Sequence, residues 1–237
     1  MTNAQTGLIV ALDHTSLTEA EELARQLEGG VDAFKVGLTL FAGYGPEAVR
    51  RIRQYGPVFC DLKLHDIPHQ VGLAAGKLAE LGCWMLTVHA SGGRQMIRSA
   101  VNAAAEVEAP PIVAAVTTLT SLSSADLAEL GQGSNVADQV VRLAGVAVGA
   151  GARAVVCSPL EIEILLREFG DQLKLVVPGI RPAGAKREDQ SRTMSPAEAA
   201  KSGAGYVVVG RPITGSEDPV AAAILIIEEM RLARLPV

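Results

Sequence analysis

The sequence predicts a closed (β/α)8 barrel, an α/β fold with a single domain over residues 1–237. Three observations predict it. Eight short runs rich in Val, Ile, Leu and Ala recur at roughly even spacing. Segments with helical periodicity and readable caps lie between them. The runs are apolar throughout, as strands buried on both faces of a parallel sheet are. Eight strand–helix units in a chain of this length fit a TIM barrel. An open doubly wound sheet is the runner-up. No linker, low-complexity tract or composition break divides the chain.

The strand runs, in order, are Leu8 to Leu12, Ala33 to Gly37, Val58 to Leu64, Met85 to Val88, Ile112 to Val116, Ala154 to Cys157, Lys174 to Val177 and Tyr206 to Val209. After the first run, Ser16-Leu17-Thr18-Glu19 reads as a capping box. It leads Leu17, Ala20, Leu23, Ala24 and Leu27 at helical spacing, and Gly29-Gly30 ends that helix. Ser158-Pro159-Leu160-Glu161 and Ser195-Pro196-Ala197-Glu198 are the same box with proline at the first helical position. Pro46, Pro68 and Pro219 mark further helix starts, and Gly56, Gly82, Gly170 and Gly203 mark ends. Residues 121–151 hold two helical segments after one strand, Ser123 to Leu130 and Val136 to Val148.

Composition narrows the class. Hydrophobic residues make up 49% of the chain, enough for a large core, and aromatics only 3%, so that core is aliphatic. A net charge of −5 argues against a nucleic-acid surface, and any anion site must be a local cluster. Cys60, Cys83 and Cys157 have no CxxC spacing and read as reduced core residues of a cytoplasmic protein. Met1 to Thr6 has neither a basic nor an apolar leader segment, so no signal peptide is expected. No apolar run approaches membrane-spanning length. His14, His65, His69 and His89 lack zinc-ligand spacing, so no metal site is expected.

The chemistry is concentrated in Asp61-Leu62-Lys63-Leu64-His65-Asp66. In a regular strand Phe59, Asp61, Lys63 and His65 share one face, and Cys60, Leu62 and Leu64 the other. Buried charges are costly unless paired. A lysine between two carboxylates is favoured as the ammonium, which makes it a candidate proton donor. A structural ion-pair ladder on a strand is the competing reading of the same residues.

Active sites of this fold lie at the C-terminal ends of the strands. Polar residues gather there: Asp13-His14, Lys35, Asp61, Lys63 and Asp66, then His89 to Gly93, and Thr117-Thr118-Leu119-Thr120. Ser158, Pro178-Gly179-Ile180-Arg181 and Gly210-Arg211 complete the set. Helix caps also favour Ser, Thr and Asp. Lys35, Asp61 and Lys63 lie inside apolar strands, where no cap is needed. Gly210-Arg211 after strand eight suits a phosphate, with Arg211 as a bidentate clamp. The polar stretch from Arg181 to Gln190 reads either as a lid after strand seven or as an inert solvated loop. His89 reads more readily as a core histidine than as a catalyst.

These motifs together resemble the orotidine 5′-monophosphate decarboxylase family. The resemblance is carried by Ala11-Leu12-Asp13, Phe34-Lys35-Val36-Gly37, Asp61 to Pro68, Val88 to Gly93, and Thr117 to Ser121. Pro178-Gly179-Ile180-Arg181-Pro182, Asp189-Gln190 and Gly210-Arg211-Pro212-Ile213 extend it over essentially the whole chain. It implies conversion of orotidine 5′-monophosphate to uridine 5′-monophosphate and CO2, the last step of de novo pyrimidine synthesis. It implies a homodimer with neither metal nor organic cofactor. By position, Lys63 would donate the proton to C6 and Asp61 would sit against the substrate carboxylate. Asp66 would reach into the neighbouring subunit's site. Asp13 and Lys35 would hold ribose hydroxyls and Thr120 would lie at the pyrimidine. Gln190 would bridge base and phosphate, Gly210 and Arg211 would take the phosphate, and Pro178 and Arg181 match family binding positions. One departure follows Pro68: His69-Gln70 stands where the family often has Asn-Thr, although Gln70 can still donate a hydrogen bond.

Two rivals differ in class. Related sugar-phosphate decarboxylases and aldolases share the DxKxxD strand but use magnesium and an acidic residue on strand two. Magnesium wants oxygen ligands, so Lys35 discriminates against them. A catalytically silent nucleotide-binding barrel is the other rival, and the intact Asp61, Lys63 and Asp66 argue against it.

Overall fold

The computed structural model describes residues 5–182 and 193–233. Eight parallel strands close into a barrel in sequence order, each hydrogen-bonded to the next and the last to the first. They are β1 Gly7–Ala11, β2 Ala33–Gly37, β3 Val58–Leu64, β4 Met85–His89, β5 Ile112–Val116, β6 Ala154–Val156, β7 Lys174–Val177 and β8 Tyr206–Val209. The helices between them are α1 Leu17–Gln26, α2 Leu38–Tyr44, α3 Pro46–Ile52, α4 Pro68–Glu80, α5 Gly93–Ala104, α6 Ser124–Glu129, α7 Val136–Ala150, α8 Ile162–Phe169, α9 Pro196–Ser202, α10 Arg211–Thr214 and α11 Pro219–Leu232. Closure settles the choice between barrel and open sheet, because β1 pairs β8 from Gly7–Tyr206 to Val10–Val209. No described helix is long and apolar enough to cross a membrane.

Two apolar layers follow from strand alternation. Outward-facing Leu8, Val10, Val36, Cys60, Leu86, Val88 and Val207 pack under the helices. Inward-facing Ile9, Ala11, Ala33, Phe59, Met85, Ala114, Ala154, Val176 and Val208 fill the barrel. Four of the nine are alanines, so the two large side chains, Phe59 and Met85, have room at the axis. Trp84 meets Tyr206 edge-on at 5.1 Å at the N-terminal end of the barrel. The opposite, C-terminal end is left for polar side chains.

The capping chemistry matches the sequence closely. Ser195 and Glu198 form a reciprocal capping box on α9, and Gly203 closes that helix in the left-handed conformation. Ser16 accepts the Glu19 N–H on α1. Ser158 and Glu161 also form their box, but around a single 3-10 turn, and α8 starts only at Ile162. Gly56 is not a helix end: α3 finishes at Ile52 with Arg53 as its cap, and Gly56 lies in the turn before β3. Between β5 and β6 there are two helices, α6 with its own Ser123–Asp126 box and α7 capped by Asn135. Cys60, Cys83 and Cys157 are buried free thiols. Burial drives the Cys157 thiol well up, and a hydrogen bond with Cys83 does the same for Cys60, so both stay protonated and unreactive.

Candidate active site

A cavity of about 560 Å³ opens at the C-terminal mouth of the barrel, within the size range of small-molecule sites. One wall is built by β1–β3. Lys35 is almost fully buried, and its Nζ lies 2.7 Å from Asp13 Oδ1 and 3.9 Å from Asp61 Oδ2. Lys63 Nζ lies 2.8 Å from the same Asp61 oxygen. Asp13, Lys35, Asp61 and Lys63 thus form a ladder of alternating sign in which each buried charge is paired, as burial demands. Gly37 makes room for it: a Cβ there would stand 2.8 Å from Lys35 Nζ and 3.1 Å from Asp13 Oδ1.

Local geometry at β3 departs from the regular strand of the sequence reading. Cys60 pairs Leu86 and Leu64 pairs Val88, so four residues of β3 advance against two of β4. Lys63 takes a φ of +51°, the sole positive φ outside glycine among the described residues. Such strain gathers at functional sites. Phe59, Asp61 and Lys63 do share the cavity. His65 leaves it and stacks on His89 at a centroid distance of 5.2 Å. Burial, then the neighbouring His65 and the Lys63 ammonium, hold the His89 imidazole below its ordinary range. His89 does not line the cavity.

The second carboxylate expected beside Lys63 is elsewhere. Asp66 is exposed and accepts the N–H of Ile67 at 2.6 Å. It lines no part of its own cavity and makes no ion pair among the described residues. Among the described residues Lys63 therefore has one carboxylate partner, Asp61, and Asp66 lies beyond the end of β3 at Leu64.

The facing wall comes from the loops after β5, β7 and β8. Thr120, Pro178, Gly179, Arg181, Gly210, Arg211 and Thr214 line it. Gly179 turns the chain out of β7 at a φ of +83°. An Ile180–Met194 bridge and the Arg181 N–H to Met194 carbonyl bond at 3.0 Å tie the loop's two ends together. Gln190 and the lid assigned to this stretch lie outside the described residues, apart from Arg181 and Pro182 at its start.

Thr87 escaped the sequence reading, and Thr118 entered it only as part of the polar end of strand five. Thr87 is fully buried on β4 and bonds both Lys63 and Asp61. Thr118 lines the cavity with a buried Oγ1 that has no hydrogen-bond partner among the described residues, an unusual state for a buried hydroxyl. A threonine inside an apolar strand gives no sequence signal by itself, since it has good strand propensity. The apolar floor of Ala11, Phe59, Val116, Val156 and Val208 was equally unmarked.

An eight-stranded parallel barrel with a charged ladder and an arginine-bearing wall at its C-terminal mouth is a TIM-barrel enzyme with its site in the usual place for the fold. Comparison with known proteins narrows this. Residues 6–226 match the family model described as orotidine 5′-phosphate decarboxylase / HUMPS family. The chain is 47% identical to the orotidine 5′-phosphate decarboxylase of Syntrophotalea carbinolica, covering 98% of each chain. It is 49% identical to that of Anaeromyxobacter sp., covering 91% of this chain and 94% of the relative. The crystal structure of orotidine 5′-phosphate decarboxylase from Lactobacillus acidophilus superposes with a TM-score of 0.82 at 38% identity, over 95% of this chain and 99% of that one. The chain belongs to the orotidine 5′-phosphate decarboxylase / HUMPS family and is a lyase.

Proposed function

We propose that this protein converts orotidine 5′-monophosphate to uridine 5′-monophosphate and CO2 in pyrimidine biosynthesis, with Lys63 as the proton donor. The observation that carries the reading is the ladder: an ammonium held 2.8 Å from Asp61 in a cavity whose far wall bears Arg181 and Arg211. The phosphate anchors on Arg211, Gly210 and Arg181, with Gln190 from the adjoining loop. The ribose meets Asp13 and Lys35, and the base lies towards Thr120 and Pro178. The C6–carboxylate bond then points at Asp61 and Lys63. When that bond breaks, CO2 leaves and the electron pair stays on C6. Lys63 stabilises the charge, an effect of preorganised electrostatics, and transfers a proton from Nζ to form the C6–H bond. Solvent reprotonates the amine.

The shared dimeric site belongs to the same proposal. Asp66 is turned away from its own cavity, and Ile67 beside it is 63% exposed, with Leu73 on α4 at 55% and Leu38 on α2 at 59%. Exposed apolar side chains on these elements, and a carboxylate without an ion-pair partner among the described residues, suit a second copy related by a two-fold axis. That copy would receive Asp66 beside its own Lys63. Free buried thiols and the soluble substrate support work in the cytoplasm. The reaction calls for no metal or organic cofactor, no nucleic acid and no membrane.

Lys35 favours this reading over the sugar-phosphate lyases, since it occupies the strand-two position where those enzymes place a magnesium-binding acid. The deciding experiment is the ultraviolet absorbance of orotidine 5′-monophosphate mixed with purified protein. Loss of the substrate band, with uridine 5′-monophosphate as product, is expected. An unchanged spectrum at high enzyme concentration overturns the proposal.

A further inference from the structure

Thr87 lies in the middle of β4, directly beneath the ladder, and has no exposed surface. Its hydroxyl uses both of its hydrogen-bonding roles inside the site. It accepts the backbone N–H of Lys63 at 2.8 Å and donates to Asp61 Oδ1 at 3.0 Å. The other Asp61 oxygen, Oδ2, receives the ammonium of Lys63. Asp61, Lys63 and Thr87 therefore form a closed ring: carboxylate to ammonium, along the lysine to its own N–H, through the threonine hydroxyl, and back to the carboxylate.

This ring stands at the break in the β3–β4 register, where residues 61–63 have no paired residue on β4. There the Lys63 N–H needs another acceptor, because a partly buried N–H without one is costly. The hydroxyl supplies it, and it holds Lys63 at a φ of +51°, a region that among the other described residues only glycines occupy. Nothing in barrel packing calls for a hydroxyl here: the neighbouring inward positions are Met85 on the same strand and Ala114 on the next. Valine has the same shape as threonine and lacks only the hydrogen bonds.

We propose that Thr87 is a positioning residue for the decarboxylation. Its hydroxyl fixes the Lys63 backbone and aims the Asp61 carboxylate, so that Nζ stands where C6 must be protonated. The inference rests on the function proposed above. Thr87→Val should lower kcat by about 10²-fold, the scale of an ångström's misplacement of a reacting group. KM should stay within about three-fold, since the lost contact matters in the transition state. Calorimetry should still find one uridine 5′-monophosphate bound per chain. Thr87→Ser restores the hydroxyl and should recover most of kcat. Thr87→Ala, which adds no atom, carries the same expectation as valine if the valine variant does not fold.

A merely structural threonine would give a different pattern: kcat would fall only in proportion to the folded, nucleotide-binding fraction. That pattern, a loss confined to KM, a valine variant with more than about half of wild-type kcat, or a serine variant as slow as valine would overturn the proposal. One measurement needs no variant. In the wild-type protein the Lys63 amide should exchange slowly with deuterium, and unprotected exchange would remove the clamp. Failure of the underlying reading is distinct: wild-type protein that leaves orotidine 5′-monophosphate intact overturns the function, whereas an active wild type beside an equally active valine variant overturns Thr87 alone.

Discussion

Lys63 concentrates the chemistry of the molecule in one side chain. Its ammonium is paired, its N–H is held by a buried hydroxyl, and its backbone is strained. Lys63→Ala should remove turnover while leaving the barrel folded. Loss of positioned acid–base catalysis alone costs about 10²–10⁴-fold, and loss of charge stabilisation adds to it. A variant that keeps more than about a tenth of wild-type activity, well outside that range, would show that Lys63 is not the proton donor. Arg211 lines the same cavity, and the proposed function assigns it to the phosphate and not to the bond that breaks. Binding energy from such a group can be used at the reacting centre. Arg211→Ala should therefore lower kcat/KM strongly for the nucleotide and much less for the phosphate-free nucleoside. Equal losses on both substrates would mean that Arg211 does not touch phosphate.

Among the elements, β3 departs furthest from its sequence reading. Alternation alone puts Phe59, Asp61, Lys63 and His65 on one face. The bulge keeps the first three there and sends His65 out to stack on His89. Periodicity cannot register a bulge, because the extra residues on β3 are extra only relative to the pairing with β4, which the β3 sequence alone does not contain. Burial of His89 at the end of β4 gives the fold a pH-dependent stability. His89 is held below 6.5, chiefly by burial. Below that pH the unfolded chain takes up a proton that the folded chain still refuses. Stability is therefore full above 6.5, falls as the pH drops beneath it, and levels off once the folded imidazole is protonated too. Melting temperatures at pH 7.5 and 5.5 should show a drop that shrinks in His89→Asn. An identical drop in both proteins would assign the acid sensitivity to other groups. By contrast, the caps of α1 and α9 and the paired helices after β5 were legible from residue spacing, because caps and helical faces depend on neighbours three or four residues away.

At the scale of the whole molecule, the position of Asp66 is decisive. It lies outside its own cavity, and Ile67 next to it is exposed. If the site is shared, inactive Lys63→Ala and inactive Asp66→Ala proteins should complement each other when their subunits exchange. In a mixed dimer, one site collects both defects, and the other combines an intact Lys63 with the partner chain's intact Asp66. Activity should rise towards one working site per mixed dimer. Mixed dimers verified by mass that stay inactive would assign Asp66 to its own chain and refute the shared site.

The sequence by itself determined the eight strand–helix units, most helix ends, the inward charges Lys35, Asp61 and Lys63, and the family. Each of these is written in local spacing or in a short motif, and local spacing survives without knowledge of the fold. Tertiary structure decided the rest. Pairing of β1 with β2 brought Asp13 to Lys35, and barrel closure set Arg211 in the same cavity as Lys63, over separations that no local pattern encodes. The fold also separated Asp66 from Lys63, three residues apart in sequence, and joined Thr87 to Asp61, twenty-six residues apart. The physical reason is that hydrogen bonds and ion pairs respond to distances of a few ångströms in space. A register shift between two strands can change those distances without altering a single residue.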